Sequence, residues 1–305
     1  MTPSKHHAKN PQPPYTHDDV DTGSIPSGYR KIETPEGVKI VREGPVSFVR
    51  RELSMSPTRQ KLWQDHLGTT ILPVTRSFAD TSVAPESYLD VAQEWGQDGP
   101  LIVDIGVGHG ESTFAGAQTN PDANFLAVEV YRPGLAKLLD RIVAEDVTNV
   151  RMVEANAPEV LDHMLPAGAA QEVWVFFPDP WQKNRYHKRR LIQPKFLDRV
   201  ARVLKVGGVL RLATDWSHYA AHMREVAEAH PAFENLHPGR LAGHDSPLTR
   251  ARAKGTDEHN PLPLAEALDT EGGWAPRFAT RPVTSFEAKA QRAGRYIFDL
   301  AYRRI

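Results

Sequence analysis

Residues 101–130 limit the possible folds of this chain more than any other stretch. The run Leu101-Ile102-Val103-Asp104-Ile105 holds one carboxylate among four apolar residues, a pattern typical of a buried parallel strand. A second apolar strand, residues 125–130, carries Glu129 near its end. Between them, glycines at alternate positions predict a tight turn into a helix: Gly106, Gly108 and Gly110. This order predicts an α/β sheet that binds a nucleoside-bearing ligand at the turn.

The glycine spacing indicates which ligand the turn accepts. A dinucleotide fingerprint needs a third small residue directly after Gly110, where this chain has Glu111, a carboxylate poorly placed to receive a pyrophosphate. S-adenosylmethionine fits better, because it offers a sulfonium, an amino-acid end and a ribose without phosphate. Glu129 lies 23 residues after Gly106, a distance that suits hydrogen bonding to ribose hydroxyls. The alternative for Glu129 is a surface acid that precedes a helix.

Strand and helix patterns alternate from residue 101 onward, which predicts an open, mostly parallel sheet flanked by helices. Pro133 and Pro194 stand where a first helical turn tolerates proline. Strands are predicted at 101–105, 125–130, 150–154, 173–177 and 208–213, with a last one at 296–302. Helices are predicted at 111–118, 133–145, 158–165, 194–204 and 217–229.

Residues 176–190 combine a strand end, a carboxylate, an aromatic ring and many cations. The strand stops at Pro178, Asp179 follows where the chain leaves the sheet, and Trp181 offers a flat ring. Aromatic rings stack on bases and cations neutralise phosphates, so this stretch predicts a nucleic-acid site. The alternative is an ordinary solvated loop. Residues 180–197 contain no acid but six cations: Lys183, Arg185, Lys188, Arg189, Arg190 and Lys195.

Three motifs in order behind the glycine turn resemble the tRNA (guanine-N7)-methyltransferase family of bacterial type. They are Phe-Pro-Asp-Pro-Trp-x-Lys at 177–183 with Arg189-Arg190, Ala-Thr-Asp-Trp at 213–216 and Thr-Ser-Phe-Glu at 284–287. The resemblance covers about residues 46–305. It implies a Rossmann-like methyltransferase sheet whose last strand is antiparallel. It also implies methylation of guanine N7 at position 46 in the tRNA variable loop, with S-adenosylmethionine as the methyl donor.

The resemblance also assigns cofactor contacts, with two departures from the family pattern. Asp104 stands where the family more often has Glu; the alternative is that it only braces the glycine turn. Asn156 replaces the Asp that usually lies near the adenine, although an amide can both donate to and accept from that base. The predicted cofactor residues are Asp104, Gly106, Gly108, Gly110, Glu129, Asn156 and Asp179.

The resemblance assigns a second set of residues to the tRNA. The predicted substrate residues are Lys183, Asp215, Thr284, Ser285, Phe286 and Glu287. The predicted RNA-contacting basic loop consists of Arg185, Lys188, Arg189 and Arg190. Thr284 and Glu287 also have the spacing of a helix capping box, and both roles are compatible.

The chemistry of the target atom decides what the protein has to supply. Guanine N7 carries an in-plane lone pair, so no proton has to be removed before it attacks a sulfonium methyl. The reaction needs in-line proximity and an anion near the positive charge that moves onto the guanine. Asp179 is the predicted catalytic residue, either through its charge or by reading the guanine edge. The alternative is that it caps a turn between two prolines.

Composition sets the outer bounds. The net charge is −1, so the argument for RNA rests on the basic loop alone. The absence of cysteine excludes disulfides, thiol catalysis and cysteine-type zinc sites, and His109, His187 and His218 lack metal-ligand spacing. No stretch is long and apolar enough to span a bilayer or to form a signal-peptide core, which predicts a cytoplasmic protein. The sequence does not predict an oligomeric state.

Residues outside the sheet pattern suggest two segments without a core. Residues 1–45 are rich in Pro, His and charge, and predict a disordered tail. Residues 46–305 are predicted to form one methyltransferase domain. Within it, residues 239–278 are rich in Gly, Pro and charge and predict a flexible insertion.

Two other functions stay open at this point. Pro-Asp-Pro-Trp at 178–181 is distantly similar to the motif of methyltransferases that modify exocyclic amino groups, although its prolines stand differently. A non-enzymatic RNA-binding protein on the same fold is the second alternative, and the glycine turn with Glu129 and Asp179 argues against it.

Overall fold

The computed structural model describes residues 29–34, 37–42, 55–77, 79–241 and 271–305. The chain divides into two compact units between Gly44 and Pro45. In the first unit, strands β1 (Tyr29–Thr34) and β2 (Gly37–Arg42) pair antiparallel. The composition predicts disorder for this segment, whereas the structure describes a hairpin there, because both strands are rich in β-branched residues. Residues 1–28 lie outside the described residues.

The second unit is built on a seven-stranded sheet of order β5-β4-β3-β6-β7-β9-β8. Strands β3 to β7 are mutually parallel, while β9 runs antiparallel to both β7 and β8. The predicted fold, a mostly parallel sheet with an antiparallel last strand, is therefore confirmed. The strands are β3 (Leu101–Ile105), β4 (Asn124–Glu129), β5 (Val150–Glu154), β6 (Ala170–Phe176), β7 (Leu204–Thr214), β8 (Phe233–Asn235) and β9 (Phe298–Arg304).

Helices cover both faces of this sheet, and an apolar core fills each face. Pro133 and Pro194 occupy the first turns of their helices, as predicted. The predicted helix 158–165 is instead a short α-helix that continues into a π-helix, Val160–Met164. The helices are α1 (Pro57–Asp65), α2 (Val91–Trp95), α3 (Glu111–Thr119), α4 (Arg132–Ala144), α5 (Ala157–Glu159), α6 (Pro194–Val203), α7 (Ser217–Glu228) and α8 (Ser285–Arg292).

The predicted insertion at 239–278 includes residues at its C-terminal end that belong to the folded unit. Residues 242–270 lie outside the described residues. Beyond them, Trp274 is fully buried against Phe298, with 4.9 Å between the ring centroids, and its backbone N–H donates to the Arg240 carbonyl. The residues from 271 onward thus pack into the folded unit, because a single buried tryptophan outweighs the polar composition around it.

The parallel strands bring their carboxyl ends to one edge of the sheet. Asp104 is the penultimate residue of β3 and Glu129 the last of β4. Asp179 lies three residues after the end of β6, and Asp215 directly follows β7. This is the edge at which open α/β sheets bind ligands.

Candidate active site

The three predicted glycines form one turn between β3 and α3. Gly106, Gly108 and Gly110 have φ angles of 73°, 56° and 70°, in the left-handed region that favours glycine. The turn packs flat on the start of α4: a Cβ on Gly134 would lie 2.1 Å from the Gly108 carbonyl oxygen, and one on Gly110 would lie 2.6 Å from Leu138. The lack of a side chain at Gly110 and Gly134 therefore lets the turn and α4 approach this closely.

Glu129 lies beneath the turn and binds its backbone. One carboxylate oxygen accepts from Gly108 N at 2.9 Å, and the other accepts from Val130 N at 2.8 Å and Tyr131 N at 3.0 Å. Burial raises the pKa of Glu129, while these three donors oppose that shift. The oxygen with a single donor keeps a lone pair for a ribose hydroxyl.

Asp104 lies behind the turn and is 2% exposed. Its carboxylate accepts from the Thr113 hydroxyl at 2.6 Å, which ties α3 to β3. This bond supports the bracing role that was the alternative for Asp104. Its predicted cofactor contact stays a prediction.

Replacing Asp104 by Asn is expected to make the free energy of unfolding less dependent on pH. Burial raises the pKa of Asp104 from 3.8 to about 7, so the native state holds this proton more tightly than the unfolded state. The resulting stability is fully present below pH 4 and lost as pH rises to 7. The loss is at most about 4 kcal/mol, at about 1.4 kcal/mol per pKa unit. Urea unfolding at pH 5 and pH 8 should show a smaller drop in the variant, and equal drops would contradict the assignment.

Asn156 offers an unpaired acceptor at the end of β5. It is 4% exposed, and its amide nitrogen donates to Glu159 at 3.0 Å. Its side-chain oxygen is buried without a hydrogen-bond partner in the part of the chain that the structure describes. Buried polar atoms are nearly always paired, so this oxygen fits a donor such as the amino group of adenine. Glu159, which sequence reasoning did not single out, also binds Val83 N at 2.8 Å and fixes the Asn156 amide.

The Asp179 loop, residues 177–181, has a strained backbone. Phe177 and Trp181 have φ angles of 54° and 43°, a left-handed conformation that is an outlier for bulky side chains. The loop is held by Phe177 N donating to the Ala213 carbonyl at 2.8 Å. Strain of this kind is maintained at functional sites by the surrounding structure. It also ends β6 at Phe176, one residue earlier than predicted.

Asp179 lies at the apex of this loop, with its side chain open to the surface. The surrounding protein nevertheless raises its pKa by desolvation. The charge of Asp179 also contributes to the raised pKa of Glu129, so the two carboxyl groups interact across the edge of the sheet. The structure thus brings the predicted catalytic carboxylate close to the predicted ribose ligand.

Arg190 differs from its predicted role in the RNA-contacting loop. It is 1% exposed, and its Nε donates to the Pro180 carbonyl at 2.9 Å. A second guanidinium nitrogen lies 2.8 Å from His218 Nδ1, and the group lies 4.8 Å from the centre of the Tyr219 ring. Burial and this cation lower the pKa of His218 to about 4, so His218 is neutral and accepts. Arg190 therefore supports the Asp179 loop from below and is closed to RNA.

The other predicted basic side chains stay on the surface of the loop. Arg185 and Lys188 are exposed on a 3₁₀-helix, Asn184–Arg189. The Arg189 guanidinium lies 5.2 Å from the centre of the Trp181 ring and 4.7 Å from that of Tyr186. The Arg185 guanidinium lies 4.7 Å from the centre of the Tyr186 ring, so two of the three cations contact the aromatic rings.

A shallow depression of about 440 Å³ adjoins Asp179. Trp181 and Tyr186 meet edge to face in it, with 6.0 Å between their ring centroids. A carboxylate, two aromatic rings and the Lys183 ammonium in one depression suit a planar base with donors on its edge. The sequence analysis does not assign Tyr186 to the site. Its position between the cations of the basic loop is the signal that could have indicated it. The lining residues are Asp179, Pro180, Trp181, Gln182, Lys183 and Tyr186.

The segment 284–287 connects the glycine turn with the Asp179 loop. Ser285 donates to the Glu111 carboxylate through its backbone N–H, at 3.0 Å, and through its hydroxyl, at 3.2 Å. Phe286 is 52% exposed and stacks on Phe177, with 6.4 Å between centroids and 13° between ring planes. In the sequence, Glu111 serves only as an argument against a pyrophosphate ligand. In the structure, it binds Ser285 and thereby holds α8 beside the glycine turn.

Thr284 and Glu287 anchor α8 in this structure, and their predicted contact with substrate stays a prediction. Thr284 caps α8 by accepting from Glu287 N at 3.1 Å, so half of the capping box forms. Glu287 is 1% exposed and pairs with Arg277 at 2.6 Å and Arg281 at 3.2 Å. Both carboxylate oxygens of Glu287 accept hydrogen bonds from these arginines, whereas Ser285 and Phe286 lie at the site.

Asp215, the last predicted substrate residue, lies at the same edge of the sheet. Its carboxylate pairs with Arg295 Nε at 2.7 Å, and both side chains are about one-fifth exposed. The pair connects the end of β7 to the segment that enters β9.

The described ranges contain neither a cluster of metal ligands nor a membrane-spanning helix. No group of three or more His, Asp or Glu side chains is arranged there to hold a metal ion. None of the helices in those ranges has the length and apolar character needed to cross a membrane.

Known proteins are similar to this chain over most of its length. A family profile described as "Putative methyltransferase" matches residues 98–260. The tRNA (guanine-N(7)-)-methyltransferase of Arthrobacter sp. (strain FB24) is 50% identical over 276 residues, covering 86% of each chain. That of Paenarthrobacter aurescens (strain TC1) is 47% identical, covering 89% of this chain and 99% of the relative. That of Cutibacterium acnes is 37% identical, covering 93% and 95%.

Proposed function

The chain belongs to the tRNA (guanine-N(7)-)-methyltransferase family, and from this premise we propose how its residues methylate guanine 46 of the tRNA variable loop. The enzyme is S-adenosylmethionine-dependent and acts on N7 of the base. The observation that carries the proposal is the contact of Ser285 with Glu111 together with the stacking of Phe286 on Phe177, which join the glycine turn to the Asp179 loop. We place the activity in the cytoplasm, with tRNA as the partner.

The glycine turn, Glu129 and Asn156 are the residues proposed to hold the cofactor. Glu129 accepts from the ribose, and the unpaired Asn156 oxygen accepts from the adenine amino group. When bound, the cofactor supplies a methyl group on a sulfonium, which is electrophilic without further activation. The turn contributes by having no side chain at Gly106 and Gly108, so the ligand can approach the sheet edge closely.

The depression beside Asp179 is proposed to hold the guanine. Trp181 and Tyr186 provide flat surfaces for the base, and the Asp179 carboxylate accepts from donors on the guanine edge. N7 needs no general base, so the protein contributes orientation and electrostatics. As positive charge moves onto the guanine, the Asp179 anion stabilises it.

The surface cations of the loop are proposed to bind phosphates on either side of this base. Arg185, Lys188 and Arg189 serve this role with Lys183, since all four lie on one short segment beside the depression. Their binding is expected to weaken with salt, as contacts of Lys and Arg with phosphate do.

Methyl transfer from labelled S-adenosylmethionine to unmodified tRNA tests the proposed function. We expect label on tRNA with guanine at position 46 and none on the same tRNA with adenine there. Alkaline cleavage should cut the product at that guanine, because N7 methylation leaves a cationic base open to cleavage. Equal label on both tRNAs would refute the proposed site, and label without cleavage would indicate an exocyclic amino group instead.

A further inference from the structure

A second pocket, of about 320 Å³, lies where the chain enters β9. We call it the arginine pocket, because three guanidinium side chains line it together with a tryptophan, a glutamine and a tyrosine. It is separate from the depression that is proposed to hold the guanine. These lining residues are Arg240, Arg277, Arg295, Trp274, Gln291 and Tyr296.

The arginine pocket lies at the same edge of the sheet as Asp179. Because β9 is antiparallel to β7, with Phe298 opposite Thr214, the residues that enter β9 meet the carboxyl end of β7. Arg295 makes this contact directly, through its ion pair with Asp215 at 2.7 Å. The pocket therefore faces the side from which a substrate reaches the Asp179 loop.

Helix α8 sets the spacing between the pocket and the cofactor turn. Its first residue, Ser285, is bound to Glu111 beside the glycine turn, and Gln291 near its other end lines the pocket. Eight helical residues span about 12 Å. A polymer that places one base at the Asp179 loop thus has its neighbouring backbone within reach of the pocket.

The charges in and behind the pocket leave a positive excess. Four arginines, at 240, 277, 281 and 295, face three carboxylates, at 215, 287 and 299, which leaves one positive charge. Arg281 is fully buried between Asp299 and Glu287. Arg277 pairs with Glu287 and Arg295 with Asp215, so among the described residues the excess positive charge is that of Arg240.

Arg240 is the least committed of these side chains. Its only hydrogen bond from the guanidinium to another described residue goes to the Trp274 carbonyl, at 3.1 Å, and within the described ranges it pairs with no carboxylate. A guanidinium has five N–H donors in a planar fork that matches phosphate oxygens. The carbonyl thus aims the group, and no described residue accepts from its other donors.

We propose that the arginine pocket binds a backbone phosphate of the tRNA close to the methylated guanine. The proposal rests on the proposed function, since that supplies the polyanion at this edge. It extends the RNA surface beyond the basic loop to a second point on the other side of Asp215. Two separated phosphate contacts fix the direction of the strand, which a single basic loop does not.

Arg240→Ala tests the proposal, with Arg303→Ala as the matched control. Arg303 is an exposed arginine beside Val209, at the middle of β7 and away from its carboxyl end, with a carboxylate 3.9 Å away. We expect Arg240→Ala to raise both the Kd and the KM for tRNA by about 5- to 10-fold, with kcat and cofactor affinity unchanged. The slope of log Kd against log salt should fall by about one unit, as for a lost phosphate contact. The control should leave both quantities at their wild-type values.

The binding measurement separates this proposal from the proposed function. Kd for tRNA is read without methyl transfer, so wild-type enzyme that fails to methylate guanine 46 would refute the function while the pocket is still tested. Equal Kd and salt slope in Arg240→Ala and Arg303→Ala would overturn the pocket. If inorganic phosphate at constant ionic strength stabilises the wild type against heat, but not Arg240→Ala, while tRNA affinity is unchanged, the pocket holds a free anion and the proposal is likewise overturned.

Discussion

Replacing Asp179 by Asn is expected to lower kcat for methyl transfer by about 10²- to 10³-fold, the usual effect of removing one electrostatic contact to a transition state. Asn has the same shape, so the strained turn between Phe177 and Trp181 is preserved and only the charge is lost. Affinity for S-adenosylmethionine should stay nearly unchanged. Single-turnover methylation and calorimetric titration of the cofactor measure the two quantities separately.

The control for this variant is Asp198→Asn. Asp198 lies on α6, and its exposed carboxylate pairs with His230. The control should leave kcat unchanged. The pH profile adds a second check. Desolvation by the surrounding protein raises the pKa of Asp179, so wild-type activity should begin to fall at a higher pH than for an ordinary aspartate, and the variant should lack this step. If Asp179→Asn loses cofactor binding, Asp179 is a cofactor ligand, and unchanged kcat would remove it from the mechanism.

Replacing Arg281 by Met is expected to lower the free energy of unfolding by about 3–5 kcal/mol, the cost of breaking a buried ion pair from one side. Arg281 is fully buried, and its guanidinium binds both carboxylate oxygens of Asp299 and one oxygen of Glu287. Without it, the Asp299 carboxylate, 5% exposed, remains in the core without its cation. Urea unfolding followed by circular dichroism measures the loss.

Two further variants sharpen this test. Arg277→Ala removes a cation that also binds Glu287 but is 40% exposed, so it should cost much less. The double variant Arg281→Met, Asp299→Leu removes both buried charges and should recover most of the stability, as apolar replacements of buried pairs often do. A loss below about 1 kcal/mol in Arg281→Met would show that the pair is not needed to hold the start of α8.

The parts of the structure that the sequence predicts are those governed by local constraints. The strand at 101–105 and the glycine turn were readable because burial and positive φ each restrict residue type at single positions. Asp179 was found for a related reason, since the end of a parallel strand is visible where an apolar run stops. Pro133 and Pro194 likewise mark the beginnings of helices without reference to the rest of the chain.

The errors arise where a residue's role depends on distant partners. Arg190 and Arg189 are adjacent cations in the sequence, yet only the fold decides that Arg190 is buried on Tyr219 and Arg189 is not. The sequence does not predict that Glu287 pairs with Arg277 and Arg281, because these residues meet only in the folded chain. The hairpin at 29–42 was missed because a composition taken over 45 residues averages away two six-residue strands.

The bond between Ser285 and Glu111 joins residues 174 positions apart, one at the start of α8 and the other at the start of α3. Any ligand that orders the glycine turn therefore also restrains the segment that carries Phe286 toward the Asp179 loop. The coupling is reciprocal: if the bound methyl donor strengthens tRNA binding, then bound tRNA strengthens binding of the methyl donor by the same free energy. The enzyme has, in this one carboxylate, a means of preferring the ternary complex over either partial complex.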